Sequence, residues 1–148
     1  MEAHTLSQLK DLSQLLSDSE RGYAEAAQYA KSKPVKELLQ QISRGRASLI
    51  TDIAAELMRA GSTPPEDGTL KGDLHRAWMD IRHALTGADD GSMLDECERG
   101  ENYLTERYDT IVSDTALPVD LRKKLLQQRA QIQANLALIT AEKAHAHH

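Results

Sequence analysis

The tripeptide Glu-Arg-Gly occurs twice in the chain, at residues 20–22 and 98–100, and a further glutamate, Glu101, follows the second copy. Each copy lies inside an amphipathic pattern that predicts a long helix. Glutamates in the middle of packed helices are the ligands of di-metal sites, in which two ions share bridging carboxylates and each takes one imidazole. The repeat therefore raises the question of whether this chain binds a metal.

The other half of such a site is missing from the sequence. A di-iron centre also takes a Glu-x-x-His motif from each of two further helices. The second predicted helix contains no His, and the last one has its Glu-x-x-His at Glu142 to His145, in its final turn and far from the helix midpoint. We therefore expect no metal, no cofactor and no catalytic residues, and the sequence favours a protein that is not an enzyme.

Composition predicts one all-α domain that covers residues 1–148. Only 3% of the residues are aromatic and none is Phe, so the core must be aliphatic, which suits packed helices better than sheets. A net charge of −5 lacks the clustered positive charge that nucleic acid requires. No apolar stretch has the length of a signal peptide or of a membrane span, so we expect a cytoplasmic protein with no membrane and no nucleic-acid partner.

Hydrophobic periodicity predicts four long helices and a short one. The long helices cover about residues 5–32, 34–60, 92–114 and 118–144, with Thr5 as the first N-cap and Pro34 in the first turn of the second helix. The short helix covers about 70–86. Trp78 is expected to anchor it to the bundle, and the lone Cys97 is expected to be buried.

Loop lengths predict how the long helices are connected. The first two helices are joined by a few residues, and so are the last two, so each pair should form an antiparallel hairpin. The second and third long helices are separated by about thirty residues, enough to return along the whole bundle. Two hairpins joined by a long crossover are the ferritin-like arrangement.

The repeated tripeptides are expected near the midplane of this bundle. The first helix has Leu16, Glu20 and Tyr23 at spacings of four and three, and the third long helix shows the same spacing at its own glutamates. Buried glutamates must be paired, so the favoured interpretation is ion pairs with arginines, of which Arg129 is one candidate. The predicted midplane residues are Glu20, Glu98, Glu101, Tyr23, Arg44, Arg46 and Gln131.

The segment "GTLKGDLHRAWMDIRHALTGADDGSMLDECERGE", together with "ERGYAEAA" in the first helix, closely resembles a bacterial four-helix-bundle family, the domain of unknown function 2383, in the ferritin-like group. The resemblance implies a ferritin-like bundle and supplies no activity. Two hypotheses remain open. The chain is a non-enzymatic, stress-related or accessory module that binds a protein partner or forms a homodimer, or it is a ferritin-like protein that binds a metal or a small ligand at a reduced carboxylate site.

Overall fold

The computed structural model describes residues 2–63 and 89–146, and these ranges form four α-helices and no strand. The helices are α1 (Ala3–Tyr29), α2 (Lys33–Arg59), α3 (Asp90–Val112) and α4 (Val119–Ala146). The prediction of four long helices in an all-α chain is confirmed. None of these helices is both long enough and apolar enough to cross a bilayer. The short helix predicted at 70–86, with Trp78, lies outside the described residues.

Side-chain caps explain where two of the four described helices begin. Ser32 caps α2 by accepting a hydrogen bond from the Val35 N–H at 3.3 Å, and Pro34 lies in the first turn as predicted. Asp89 caps α3 by accepting from the Ser92 N–H at 2.7 Å. Both side chains satisfy a backbone donor that the helix itself leaves without a partner.

The prediction that Thr5 is the N-cap of the first helix was wrong. The helix begins at Ala3, and Thr5 is a buried residue of its first turn. The Thr5 hydroxyl donates to the Asp114 carboxylate at 3.0 Å, just beyond the end of α3. The hydroxyl that would have capped its own helix therefore makes a tertiary contact.

Hydrogen bonds at both ends show that α1 and α3 are antiparallel. The contact between Thr5 and Asp114 joins the start of α1 to the end of α3. At the other end, the backbone N–H groups of Lys31 and Ser32 each donate to the Asp90 carboxylate at 2.9 Å. These bonds join the end of α1 to the start of α3.

A second antiparallel pair is formed by α2 and α4. Lys124 in the second turn of α4 pairs with Glu56 in the last turn of α2 at 3.0 Å. Together with the two hairpins, α1 with α2 and α3 with α4, this places the end of α2 and the start of α3 at opposite ends of the bundle. Residues 64–88 join these two ends.

The aliphatic core is divided into two clusters. One cluster fills the half of the bundle that contains Leu9, Leu57 and Leu121, and the other fills the half that contains Ala30, Val35 and Leu94. Cys97 belongs to the second cluster and is 2% exposed, so its predicted burial is confirmed. Each cluster buries many aliphatic side chains, at about 1.5–3 kcal/mol of stabilisation for each one fully buried. The boundary between the clusters is polar.

Candidate functional site

A fully buried ion pair lies at the boundary between the two core clusters. Arg46 on α2 donates through Nη2 to Oε1 of Glu101 on α3, and both side chains are 0% exposed. Arg46 follows Ile42 by four residues and precedes Leu49 by three, so it occupies a core position of its helix. A buried charge is tolerated because its partner is buried beside it.

Tyr23 brings a third helix to the same carboxylate oxygen. The Tyr23 hydroxyl donates from α1 to Oε1 of Glu101 at 2.7 Å, and the Arg46 guanidinium lies 5.4 Å from the centroid of the Tyr23 ring. The second contact has the geometry of a cation–π interaction. We refer to Tyr23, Arg46 and Glu101 as the central cluster.

The fourth helix contributes a separate buried hydrogen-bond chain next to this cluster. The Tyr108 hydroxyl on α3 donates to Oε1 of Gln128 on α4 at 2.8 Å, and Nε2 of Gln128 donates to the Leu49 carbonyl at 3.3 Å. Gln128 is only 3% exposed. This chain ties three helices together through neutral groups.

The last helix offers several polar residues near the midplane, Gln128 among them, and the prediction chose Gln131. Gln128 lies three residues after Leu125 and four before Ile132, both fully buried, so the apolar spacing could have identified it. Gln131 is exposed on the bundle surface, with its amide nitrogen 3.7 Å from the point where a Cβ at Gly45 would lie. Gln131 therefore does not join the polar centre.

The repeated glutamates Glu20 and Glu98 lie beside the centre and not in it. Glu98 is 28% exposed and accepts from Lys143 Nζ and from the Thr140 hydroxyl, each at 3.0 Å. The bonds that Lys143 donates to Glu98 and to Asp95 raise the pKa of Lys143. Glu20 is half-buried, and its backbone carbonyl accepts from the Ser43 hydroxyl at 2.8 Å. The expectation that both glutamates pair with arginines is not met.

Two of the three candidate arginines also lie outside the centre. Arg44 is exposed, and Arg129 pairs with Asp109 on the surface through an Nε to Oδ1 contact of 2.6 Å. Of the predicted midplane residues, the structure brings together Tyr23, Arg46 and Glu101, and only these.

The repeat is explained by the residue that follows each copy. Tyr23 comes three positions after Glu20, and Glu101 comes three positions after Glu98, so the two inward residues are themselves 78 positions apart. Because α1 and α3 are antiparallel, the two equivalent turns face each other and these residues meet in a hydrogen bond. The repeated segments therefore place a donor and an acceptor at one level of the bundle.

A family model matches the part of the chain that contains the central cluster. The model of the family described as domain of unknown function (DUF2383) matches residues 4–114. The chain belongs to this family. The DUF2383 match covers α1, α2 and α3, and so it includes all three residues of the central cluster and ends before α4. No curated protein matches the chain.

Burial and the neighbouring charges together determine the protonation of the central groups of this DUF2383 chain. Burial, followed by the negative charge of Glu101, raises the pKa of Tyr23 well above its ordinary value, and burial raises the pKa of Tyr108 and of Cys97. Burial by itself would lower the pKa of Arg46, but Glu101 and Tyr23 outweigh it and the pKa is raised. At neutral pH the phenols and the thiol are therefore neutral, and the guanidinium is charged. None of these groups is poised to act as a nucleophile or a base.

Three atoms of the ion pair have no hydrogen-bond partner among the described residues: Nε and Nη1 of Arg46 and Oε2 of Glu101. A buried polar atom without a partner costs about 1–3 kcal/mol. Within residues 2–63 and 89–146, no three His, Cys, Asp or Glu side chains are grouped as a metal site would require. The positive charge beside the Glu101 carboxylate is the guanidinium of Arg46.

The raised pKa values of Tyr23 and Tyr108 predict a loss of stability in alkaline solution. Between the unfolded-state pKa of about 10 and the higher native values, the folded protein holds protons that the unfolded chain releases. The stabilisation that these two tyrosines contribute is therefore fully present below about pH 10, and the free energy of unfolding falls as the pH rises above it. Urea unfolding at pH values from about 9 to 12, in steps of about one pH unit or less, would measure this fall in the free energy of unfolding.

Tyrosinate absorbance gives a control for the same prediction. Tyr23→Phe and Tyr108→Phe should each leave the tyrosinate titration of the native protein unchanged, because neither phenol ionises while the protein is folded. Loss of one titrating phenol from the native protein in either variant, with helical circular dichroism intact, would contradict the assignment.

Proposed function

We propose that this chain is a non-enzymatic, ferritin-like bundle that works as a bacterial accessory or stress-related binding module. In this proposal the Arg46 guanidinium takes the place of a metal ion at the centre of the bundle, an arrangement that we call the closed centre. The observation that supports this is the buried pair of Arg46 with Glu101. A guanidinium occupies the place at which a metal ion would meet the midplane carboxylate. Its raised pKa keeps it charged, so the cation is permanent.

The connectivity supports the ferritin-like part of the proposal. Two antiparallel hairpins are present, and the chain leaves α2 at one end of the bundle and enters α3 at the other. An up-down-up-down bundle would need only a short turn at this point. The positions of the helix ends therefore support the crossover that distinguishes the ferritin-like order.

Metal addition tests whether the centre is closed. A metal that binds only the folded state would raise the melting temperature, since binding stabilises the state that binds. We expect protein that is purified without a tag, after growth in iron- and manganese-supplemented medium, to contain no stoichiometric metal by elemental analysis. Its melting temperature should not change on addition of Fe(II) or Mn(II).

One observation favours the second candidate, a reduced carboxylate site for a metal or a small ligand. Oε2 of Glu101 has no partner among the described residues. Arg46→Met is the informative variant, because it removes the resident cation and leaves the carboxylate. Stoichiometric metal in the parent protein, or a melting temperature several degrees higher with Fe(II), would replace the closed-centre proposal by this one. A metal response in Arg46→Met alone would support the closed centre.

A further inference from the structure

The outer face of α4 is apolar along most of its length. Only five of the 28 residues of α4 are buried, and they lie on the opposite side of the helix. Three of the five large apolar side chains that are exposed in the described ranges belong to α4, namely Val119, Leu126 and Leu138. Alanines at 130, 134, 137 and 141 are also exposed, and the exposed polar residues of the same stretch, Gln127, Gln131 and Thr140, are uncharged.

This face also lacks charge. Arg129 is the only charged residue between 125 and 141, and it lies toward α3, paired with Asp109. The outer face of α3 is the opposite case, since Asp95, Arg99 and Glu106 are all exposed there. A helix face that is both exposed and uncharged over this length is typical of an interaction surface.

The pattern of the face is the same when it is read backwards. Leu126, Ala130, Ala134 and Leu138 follow one another at intervals of four, which is a ridge about 18 Å long. A two-fold axis at the level of Ile132 would place Leu126 opposite Leu138 of a second copy, and Ala130 opposite Ala134. The small residues at the centre let the two helix axes approach closely, and the leucines fill the space on either side.

The charges at the two ends of α4 select the antiparallel direction. Lys123 is exposed near the start of the helix, as is Asp120, and Glu142 is half-buried near its end. The two neighbouring cations are already engaged at α3, since Arg122 donates to the Val112 and Asp114 carbonyls and Lys143 pairs with Asp95 and Glu98. Around the same axis, Lys123 of each copy lies near Glu142 of the other, so the contact occurs twice. In a parallel pair the like charges would meet, and the helix dipoles would be aligned unfavourably.

We propose that the outer face of α4 is the interface of a homodimer, in which a second copy of this chain packs antiparallel with its two-fold axis at the level of Ile132. The proposal rests on the binding-module part of the proposed function and names its partner as the chain itself. It is independent of the closed centre, because none of the central cluster residues lies on α4.

Molar mass in solution is the first test. At micromolar concentration, analytical ultracentrifugation of the full chain should give about twice the chain mass of 16.4 kDa. Ala134→Arg places a charge and a long side chain next to the axis, and it should raise the dissociation constant of the dimer by about tenfold or more. The matched control is Ala47→Arg, the same change at an exposed position in the middle of α2, which should leave the dissociation constant unchanged.

A charge exchange tests the antiparallel direction. Glu142→Lys should weaken the dimer, because the new lysine faces Lys123 of the other copy. Combining Lys123→Glu with Glu142→Lys should restore much of the affinity, since the two signs are then reversed together. No recovery in the double variant would overturn the antiparallel arrangement.

The other occupants of this face give different results. If residues 64–88 of the same chain cover it, the parent is monomeric and Ala134→Arg lowers its melting temperature. If an unrelated protein covers it, the parent is monomeric and the melting temperature of the variant is unchanged. Either result overturns the homodimer, while the metal content of the same sample reports separately on the closed centre.

Discussion

Replacing Glu101 with leucine is expected to lower the free energy of unfolding by about 3–5 kcal/mol, the cost of leaving one member of a buried ion pair without its partner. The Arg46 guanidinium is 0% exposed, so no water replaces the lost carboxylate. Tyr23 loses its acceptor in the same variant. Urea unfolding at pH 7, followed by far-ultraviolet circular dichroism, would measure the change.

Two further variants make this result specific. Glu98→Leu changes a partly exposed glutamate of the same helix and should cost no more than about 1 kcal/mol. Arg46→Met combined with Glu101→Leu should recover most of the loss, because apolar residues of similar volume often replace a buried ion pair without penalty. The double variant also keeps the test available if Glu101→Leu alone does not fold. Equal losses for Glu98→Leu and Glu101→Leu would show that the pair is not the stabilising contact.

The helices could be predicted from the sequence because their apolar spacing is regular over many turns. Leu9, Leu12, Leu16 and Tyr23 all lie on one stripe of α1, and each is buried. The helix ends were predicted less well. Thr5 has the residue type of an N-cap, but its hydroxyl bonds to Asp114, which is more than a hundred residues away in the chain.

Of the three predicted midplane glutamates, Glu101 is central, whereas Glu20 and Glu98 lie beside the centre. The core stripe of α3 runs through Leu94, Cys97, Glu101 and Leu104, at alternating steps of three and four. Glu98 follows Cys97 directly, so its side chain is turned by about 100° from the stripe. Steps of four and then three from Leu94 reach both Glu98 and Glu101, and only the step of three through Cys97 shows that Glu101, and not Glu98, belongs to the stripe.

The pairing within the site depends on heights that the sequence does not contain. Spacing can choose Arg46 over Arg44, since Arg46 is four residues from Ile42 and three from Leu49, whereas Arg44 fits neither interval. Spacing within one helix cannot say that Arg46 lies level with Glu101. The relative height of the helices is set by contacts between their ends. One example is the Asp90 carboxylate at the start of α3, which accepts hydrogen bonds from the turn between α1 and α2.

Tyr23→Phe is expected to lower the free energy of unfolding by about 1.5–3 kcal/mol, the range for losing a hydrogen bond to a charged group. The ring and its stacking on Arg46 remain, so the variant removes only the bond of 2.7 Å to Glu101. If the two repeated segments meet through this bond, the loss must depend on Glu101. The double variant Tyr23→Phe with Glu101→Leu should then cost at least about 1 kcal/mol less than the sum of the two single changes.

Tyr108→Phe supplies the matched control for this coupling. Tyr108 also has a buried hydroxyl in the core. That hydroxyl donates to Gln128 at 2.8 Å and shares no hydrogen-bond partner with Glu101. Its loss and that of Glu101→Leu should therefore add to within about 0.5 kcal/mol. Additive losses for Tyr23→Phe as well would mean that Tyr23 and Glu101 are only neighbours. The repeated segments would then have no role in joining α1 to α3. Their contact is the hydrogen bond between Tyr23 and Glu101, the residues that follow the two tripeptides.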